Sequence, residues 1–350
     1  KCVSRDDTVS AGEFNLLKTP FFSVIIVNYN GGEYLQKAVD SLAAQTFSEF
    51  EVIIVDNASS DGSMDVLDVS ALELCRVELP GRNTGFAEGN NIGASKAQGE
   101  WLALLNADAQ ASPDWLEKLK AAIETSPDCS MFASTQVFMD DPNILDGAGD
   151  GYTAYGFAWR GCYRRPIEDK PDAGETFAPC GASAAIRTRT FLDHGGFDER
   201  YFCFMEDVDL AFRLRLAGEY CLFLPDAIVT HKGGGLTGER SEFAVTHGAR
   251  NRVWTYWANM PAELIWLTLP GHLLLTAYLL VTYAFRPYGR YVWKGTRDGW
   301  AGAFAMRRER KDLRMQRQIS LWRLMSDFFW NPFPMSAHGS AVRSSNRSDH

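Results

Sequence analysis

Hydrophobic and polar positions follow two different periods along the chain from Phe21 onward. The runs FFSVIIVNYN and FEVIIVDNASSDGS are rich in β-branched residues and end in polar clusters, which is typical of buried strands. The segment between them, GEYLQKAVDSLAAQ, carries an apolar helical face made of Leu35, Val39, Leu42 and Ala43. This order of strand, helix and strand predicts an α/β fold with a largely parallel sheet flanked by helices.

Further elements follow the same pattern. CRVELP predicts a short third strand, EWLALLNAD a fourth, and YCLFLPDAIVTH a last strand that ends at His231. A glycine-rich segment precedes a helix predicted to start near Ala87, and a later helix is predicted to end at Gly218. Between them, about residues 131–189, we expect loops and a few strands that shape a pocket. Ligands bind at the carboxyl ends of strands in open α/β sheets, so the polar residues there are candidates for a binding site.

The chain changes character beyond Ala249. Residues 264–285 carry no formal charge and are long enough to span a bilayer, but Pro270, Gly271 and His272 interrupt the run. A spanning helix, a helix lying in the membrane plane and a helix buried in a homodimer all remain open. We therefore expect a poorly ordered leader at 1–19, a main α/β domain at 20–248, a helical membrane-associated or dimerising region at 249–335, and a disordered tail at 336–350.

Charge is distributed unevenly over the 350 residues. The net charge is −9, which argues against a general nucleic-acid binder. From Arg286 onward there are 13 basic and 5 acidic residues, a net of +8, so the preceding residues carry −17. This basic, aromatic-rich end suits an anionic membrane surface. The seven cysteines form no C-x-x-C pair, which favours reduced thiols that pack in the interior.

The triplet Asn106, Ala107 and Asp108 ends the fourth predicted strand. Side chains two residues apart on a strand project to the same side, so Asn106 and Asp108 share one face. A hard cation such as Mg²⁺ or Mn²⁺ needs only one or two protein carboxylates when phosphates and water supply the other ligands. The triplet is therefore a candidate metal site, although Asn and Asp are also ordinary strand-terminating residues.

Two other clusters are candidates for binding a nucleotide. Asp56 and Asn57 offer an acceptor and an amide to a pyrimidine edge, or they are simply a turn. Arg82, Asn83 and Gly85 precede a helix whose N–H groups and dipole would favour a phosphate. The glycine spacing is not G-x-G-x-x-G, which argues against a dinucleotide dehydrogenase.

Acidic residues open the helix VDLAFRLRLAG. Glu206, Asp207 and Asp209 either stabilise its first turn, as acids there commonly do, or supply a general base. An Asp at a helix N-terminus is expected to have a low pKa and to be ionised at neutral pH. His231, at the end of the last strand, is either a metal ligand or a loop histidine with satisfied hydrogen bonds.

Four segments in this order resemble the family 2 glycosyltransferases of the GT-A fold, within their bacterial rhamnosyltransferase-like branch. The matching text spans about residues 21–260: FFSVIIVNYNGGEYLQKAVDSLAAQTFSEFEVIIVDNASSDGS, NTGFAEGNNIGASKAQGEWLALLNADA, CGASAAIRTRTFLDHGGFDERYFCFMEDVDLAFRLRLAG and VTHKGGG. The resemblance implies a Rossmann-like mixed sheet flanked by helices, the fold of nucleotide-diphospho-sugar transferases, with a C-terminal helical segment.

The resemblance also implies roles for particular residues. Asp207 would be the catalytic base beside Glu206, which orients donor or acceptor, and Asp108 would match the last Asp of the D-x-D motif. His231 would ligate the same Mg²⁺ or Mn²⁺. The chain departs from the motif at Asn106, which puts a two-carboxylate metal site in doubt. The donor-binding set is Asn28, Asn30, Asp56, Asn57, Arg82, Asn83, Gly85, Asn90, Asn106, Ala107 and Asp108, and the acceptor side is Gly181, Ala182 and Asp209.

The reaction implied is an inverting transfer from a nucleotide sugar to a hydroxyl. We expect dTDP-rhamnose as donor, with a UDP-hexose or UDP-N-acetylhexosamine as the alternative, and a lipid-linked or cell-surface glycan as acceptor. The enzyme would then work at the cytoplasmic face of the bacterial inner membrane, and a homodimer is possible. A sugar nucleotidyltransferase and an inactive membrane-bound scaffold are the alternatives from other classes. A processive synthase is disfavoured because no Q-x-x-R-W motif is present.

Overall fold

A computed structural model describes residues 19–233, 241–331 and 338–344. The predicted leader lies outside the described residues except for Thr19. The strands are β1 Phe22–Asn28, β2 Phe50–Asp56, β3 Cys75–Glu78, β4 Trp101–Leu105, β5 Ala109–Ala111, β6 Met131–Phe138, β7 Leu145–Ala148, β8 Asp150–Tyr152, β9 Ala158–Arg160, β10 Gly174–Thr176, β11 Ser183–Arg187 and β12 Cys221–His231. The helices are α1 Glu33–Ala43, α2 Gly85–Lys96, α3 Trp115–Thr125, α4 Thr188–Asp193, α5 Glu206–Leu216, α6 Glu242–Asn259, α7 Ala262–Ala284, α8 Gly289–Glu309, α9 Lys311–Met315 and α10 Leu321–Asp327.

The main sheet is mixed. Its strands follow the order β10-β12-β6-β11-β4-β1-β2-β3, with β5 on β12 and β7 on β6. The strands β4, β1, β2 and β3 are parallel, whereas β11 runs antiparallel to both β4 and β6. The sequence pattern predicted the parallel half correctly. In the other half β12 and β6 pair parallel and run in the same direction as β4. The expectation of a largely parallel sheet fails for β10, β11 and the short side strands β5 and β7, because a hydrophobic run does not reveal the direction of its partner strand.

Helices cover the sheet and bury its apolar residues. Strand β1 is buried on both faces, which explains its unbroken hydrophobic run. On α1 the buried positions include Leu35, Val39 and Leu42 as predicted, but Ala38 is buried and Ala43 is exposed. The buried face of α1 therefore includes Ala38 and ends at Leu42, one residue before the predicted Ala43.

Parallel registry brings the ends of the neighbouring strands to one edge. In the β1–β2 pair, Asn28 lies opposite Asp56. Strand β4 runs parallel to β1 on its other side and ends just before Asn106. Three polar strand ends, predicted separately from the sequence, thus meet at the carboxyl edge of the sheet.

The C-terminal region is continuous with the α/β core. Helix α6 begins at Glu242, so the predicted boundary at 248 lies within a helix, and α6 packs against α5 and α8. Part of the predicted tail is also packed, since Ala341 is buried and Arg343 pairs with Glu175. The six cysteines in the described residues are all free, as expected.

A buried ion network joins these parts. Asp209 on α5 is fully buried and forms salt bridges with Arg213 and with Arg310, which follows α8. Its Oδ1 also accepts hydrogen bonds from Tyr201 and Asn259. Burial alone would raise the pKa of Asp209, but the two arginines outweigh burial and hold it well below its usual range.

We expect Arg310→Met to lower the free energy of unfolding by about 3 kcal/mol, because it leaves a buried carboxylate with one fewer counter-charge. Urea unfolding followed by circular dichroism measures the change. The matched control is Arg297→Met on α8, whose side chain is 74% exposed and pairs only with Asp298. Equal stability of the two variants would contradict the role given to Arg310.

Candidate active site

The carboxyl ends of β1 and β2 form the first part of the site. Asn28 Nδ2 donates to Asp56 Oδ1 at 2.8 Å and to Ser59 Oγ at 3.0 Å, and Asn28 is itself fully buried. Asn30 adopts a left-handed backbone conformation and its side chain accepts a hydrogen bond from Ser60 N–H at 2.8 Å. Asn28 and Asn30 therefore shape the turn that holds Asp56, the residue predicted to contact the nucleobase.

Asn57 makes contacts on the opposite side of this turn. Its Nδ2 donates to the carbonyl of Gly85 at 2.9 Å, and its Oδ1 accepts from Thr84 Oγ1 at 2.5 Å. These bonds fix the start of α2 against the end of β2. The structure thus gives Asn57 internal partners, while its role in reading a base stays a prediction.

The N-terminus of α2 differs from the expectation. The helix begins at Gly85, and the N–H groups of Phe86 and Ala87 both donate to the carbonyl of Phe202. Gly85 has φ of +76°, and a Cβ there would lie 2.6 Å from that same carbonyl. The expectation that these N–H groups are free to bind a phosphate was wrong, because a protein carbonyl already occupies them.

The other residues predicted near α2 have local partners. The Asn83 side chain accepts a hydrogen bond from Gly85 N–H at 2.9 Å, and Asn90 Nδ2 donates to Phe86 O at 2.9 Å. Arg82 is largely exposed and pairs with Glu88. Arg82 is thus an exposed member of this group, and its contact with a diphosphate stays a prediction.

Asp108 and His231 come together, as the family resemblance implied. His231 Nε2 lies 3.3 Å from Asp108 Oδ1 and 3.3 Å from Asn106 Nδ2. The two come together because β5, which follows Asp108, pairs with the end of β12, where His231 faces Ala109. Ala107 is buried between the two polar residues of the triplet. One carboxylate oxygen and one imidazole nitrogen at this spacing fit a divalent cation that takes its remaining ligands from phosphate and water.

The orientation of His231 depends on residues that the sequence analysis missed. Its Nδ1 lies 2.6 Å from Asp146 Oδ2, and Asp146 in turn accepts a hydrogen bond from Arg160 at 2.7 Å. A carboxylate on Nδ1 turns the Nε2 lone pair toward Asp108, which is the usual support for a metal-binding histidine. Asp146 could have been suspected only from its place in the run ILDGAGDGY.

The electrostatics of this group are consistent with cation binding. Burial disfavours the charged imidazole, but hydrogen bonds to Asp108 and Asp146 outweigh burial and raise the pKa of His231 to about 9. The pKa of Asp146 is lowered despite burial, chiefly by Arg160. Asp146 therefore remains ionised, and the two carboxylates attract a positive charge between them, either a proton on His231 or a metal ion.

The predicted base, Asp207, opens α5. Its Oδ2 accepts a hydrogen bond from Gly181 N–H at 2.9 Å and its Oδ1 accepts from Val208 N–H at 2.7 Å. Asp150 and Cys180 complete a cluster whose polar atoms lie within 4.8 Å of one another. Asp150 was not predicted to take part in the site.

Burial raises the pKa of Asp207, Asp150 and Glu206, but the groups that oppose the rise differ from one carboxylate to the next. Burial raises the pKa of Asp207, so the expected low pKa was wrong, although two N–H donors and Arg160 oppose the rise. Burial and the neighbouring Asp207 raise the pKa of Asp150 to about 8. Burial likewise raises the pKa of Glu206 well above its usual value. Asp207 has the N–H donors that favour ionisation, so it carries the negative charge while Asp150 and Glu206 keep their protons.

The segment containing Gly181 and Ala182 joins the two halves of the site. The Ala182 carbonyl accepts a hydrogen bond from Asn106 N–H at 3.0 Å, while Gly181 donates to Asp207. Asp209, which was expected on the acceptor side, is instead fully buried on α5 and belongs to the ion network. The structure brings the other predicted acceptor residues to the site but not Asp209.

A strained loop sets the position of Asp207. Phe202, Phe204 and Met205 all have positive φ, which non-glycine residues rarely adopt. Asn251 on α6 holds this loop, since its Nδ2 lies 2.7 Å from Phe204 O, 3.0 Å from Cys203 O and 3.1 Å from Tyr201 O. Asn251 was not predicted, because its importance depends on backbone carbonyls about 50 residues away in sequence.

Comparisons with known proteins show which family the chain resembles. Residues 23–192 match the family model described as glycosyl transferase family 2. The chain contains a family 2 glycosyltransferase domain. The glycosyltransferase is 27% identical over 303 residues to N-acetylglucosaminyl-diphospho-decaprenol L-rhamnosyltransferase of Mycobacterium tuberculosis, covering 77% of this chain and 95% of that one. It is also 33% identical over 88 residues to glycosyltransferase GlyG of Streptococcus pneumoniae, covering 25% of this chain and 29% of that one.

Solved structures confirm the GT-A fold of the glycosyltransferase. It is similar to GalNAc-T7 with UDP, GalNAc and Mn²⁺, with a TM-score of 0.61 and 18% identity, covering 93% of this chain and 58% of that one. It is also similar to the mannosyltransferase PcManGT of Pyrobaculum calidifontis in complex with GDP-Man and Mn²⁺, with a TM-score of 0.51 and 17% identity, covering 87% and 84%. The predicted α/β GT-A fold is thereby confirmed, and the family match confirms the glycosyltransferase class.

We expect Asn251→Ala to lower turnover about 100-fold with little change in the donor KM, because the loop then no longer fixes Asp207. Steady-state release of nucleoside diphosphate measures both constants. Thr246→Ala is the matched control, since Thr246 is a buried residue of the same helix whose hydroxyl has no hydrogen-bond partner among the described residues. A parallel loss in both variants, or an unchanged turnover in Asn251→Ala, would contradict the positioning role.

Proposed function

We propose that this glycosyltransferase moves a sugar from a nucleotide-sugar donor to a hydroxyl of a lipid-linked glycan, with inversion at the anomeric carbon and with the help of a divalent cation. The donor of first choice is dTDP-rhamnose. The relative from Mycobacterium tuberculosis, whose name describes an L-rhamnosyltransferase acting on a decaprenyl-linked sugar, supports both choices over 95% of its length. A UDP-hexose or UDP-N-acetylhexosamine is the alternative donor.

The observation that carries this proposal is the connection between the two halves of the site. Ala182 contacts the triplet that ends in Asp108, while the adjacent Gly181 holds Asp207. A donor diphosphate beside Asp108 and an acceptor hydroxyl beside Asp207 would then meet over a two-residue segment. Gly181 suits this place, because a Cβ there would lie 3.0 Å from Phe86 and 3.5 Å from Asp207 Oδ2.

In the proposed reaction Asp207 accepts the proton of the acceptor hydroxyl. The hydroxyl oxygen forms a bond to the anomeric carbon as the bond from that carbon to the diphosphate oxygen breaks, and the nucleoside diphosphate leaves with the electron pair. A raised pKa makes Asp207 a stronger base than an ordinary aspartate while its N–H donors keep it ionised. When bound, Mg²⁺ or Mn²⁺ would be held by Asp108 and His231 and would neutralise charge on the diphosphate.

The proposed location is the cytoplasmic face of the bacterial inner membrane. A polyprenyl-linked acceptor would lie in that membrane, and α7 is long and apolar enough to contact it. Family membership favours the glycosyltransferase over a nucleotidyltransferase, and the paired Asp108 and His231 argue against an inactive scaffold. The homodimer stays a prediction.

Asp207→Asn should reduce turnover by about 100-fold or more, because an amide cannot accept the proton, while donor binding stays close to normal. Release of nucleoside diphosphate from a panel of dTDP- and UDP-sugars with a polyprenyl-linked acceptor measures turnover and identifies the donor. The exposed Asp193→Asn, whose partner is Arg189, is the control with the same change of charge. Near-normal turnover in Asp207→Asn would show that another group is the base.

Asp146→Asn should weaken Mn²⁺ binding about 10- to 100-fold, because it removes the carboxylate that orients His231. Calorimetry on the metal-stripped protein measures this directly, without relying on activity. EDTA should abolish transfer and Mn²⁺ or Mg²⁺ should restore it. The control is Asp140→Asn, a carboxylate that is 75% exposed and contacts Lys232. Unchanged Mn²⁺ affinity in Asp146→Asn would be evidence against a metal site at His231.

A further inference from the structure

Helix α7 has its polar and apolar sides reversed relative to an ordinary surface helix. Its buried side includes Thr268, His272 and Thr276, spaced four residues apart. The outward side is almost entirely apolar. It carries seven large exposed residues, Trp266, Leu267, Leu273, Leu274, Tyr278, Val281 and Phe285, with Trp266 82% and Phe285 93% exposed. A solvent-exposed apolar face of this length indicates an interaction site.

The buried side fixes α7 against the α/β core. The His272 ring stacks on Tyr256 with ring centres 3.9 Å apart, and His272 Nδ1 lies 2.9 Å from Tyr155 O. Arg252 donates to Thr276 Oγ1 at 2.8 Å. A Cβ at Gly271 would lie 2.3 Å from the Tyr155 ring, so the two backbones approach closely. The helix therefore packs on the core from its first turn to Thr276.

This packing decides between a spanning and an in-plane helix. Ala262–Ala284 is 23 residues, or about 34 Å at 1.5 Å per residue. The part beyond Thr276 is only about 12 Å long, whereas the hydrocarbon core of a bilayer is about 30 Å thick. A spanning α7 would carry the buried Arg252 and its neighbours into the hydrocarbon. One face of α7 can contact lipid only if the helix lies parallel to the surface.

Charge identifies the kind of surface. Between Arg286 and Arg308 the chain has six basic residues and a single acidic one, Asp298. Arg286, Arg290 and Lys294 are exposed and directly follow the apolar face, together with Trp293, which is 57% exposed. Arginine, lysine and tryptophan beside an apolar helix face are the usual composition at an anionic lipid interface.

We propose that α7 lies flat on an anionic bilayer, with the face from Trp266 to Phe285 inserted among the acyl chains and with Arg286, Arg290 and Lys294 on the headgroups. The inference deepens the proposed function, on whose membrane location it rests. It assigns the contact to one helix face and excludes a transmembrane segment for α7. The catalytic domain is then held beside the lipid without being anchored through it.

Flotation of the full-length protein with vesicles tests this arrangement. Wild type should float with an equimolar mixture of phosphatidylcholine and phosphatidylglycerol and should bind much less to phosphatidylcholine alone. Leu274→Glu, which places a charge on the exposed face, should reduce binding about tenfold or more. Leu79→Glu is the matched control, because Leu79 is an equally exposed leucine, 70%, outside α7 and α8. Its binding should equal that of wild type.

A double variant changes the basic residues beside α7 and leaves the exposed apolar face of α7 unaltered. Arg286→Glu with Arg290→Glu should weaken binding to the anionic vesicles and leave the weak binding to phosphatidylcholine unchanged. Donor hydrolysis in vesicle-free buffer should be normal in all variants. A failure of hydrolysis in wild type would contradict the proposed transferase, whereas normal hydrolysis without flotation would overturn only the docking inference.

Two other results would also overturn it. If wild type is a dimer by light scattering and Leu274→Glu makes it a monomer without affecting flotation, the face is an interface between two copies. If the protein stays with native membranes after extraction with alkaline carbonate, α7 spans the bilayer. Release by carbonate is the expected outcome.

Discussion

The placement of the catalytic helix depends on a carboxylate that is buried and must be paired. Asp209 lies inside the protein on α5, two residues after the predicted base, and its charge is stable there only because Arg213 and Arg310 surround it. Arg310 lies between α8 and α9 in the C-terminal helical region. The ion network thus makes the position of Asp207 depend on a segment about 100 residues later in the chain. Helices α6 to α9 are part of the structure that holds the active site.

The active site itself concentrates acidic groups, and each is stabilised differently. Asp108 and Asp146 lie on either side of His231, so positive charge is needed between them. Asp207 receives backbone N–H groups instead, and its neighbour Asp150 stays protonated. The two arrangements separate the proposed cation-binding half from the proposed proton-accepting half. A nucleotide-sugar transferase needs both functions side by side, one for the leaving diphosphate and one for the attacking hydroxyl.

The same contrast between buried polar and exposed apolar groups explains α7. Thr268 and Thr276 each donate to a carbonyl of their own helix, and further hydrogen bonds join Thr268 to Tyr256, Thr276 to Arg252 and His272 Nδ1 to the Tyr155 carbonyl. The apolar side chains are left pointing outward. The Pro270, Gly271 and His272 interruption is therefore a packing feature, since Gly271 admits Tyr155 and His272 stacks on Tyr256.

The sequence by itself determined the parallel strands β1 to β4 and the polar strand ends, because hydrophobic periodicity is a local property. The pairing of Asp108 with His231 came from the family resemblance, whose motifs fall at strand ends. The sequence also indicated Asp207, through the acidic start of α5. Only the tertiary structure decided that β11 is antiparallel, that Asp209 is a buried ion-network residue, and that Phe202 occupies the N–H groups of α2. The supporting roles of Asp146, Asp150 and Asn251 emerged in the same way. Each depends on a partner distant in sequence, and neither composition nor spacing specifies which side chain a fold brings against a given backbone carbonyl or carboxylate.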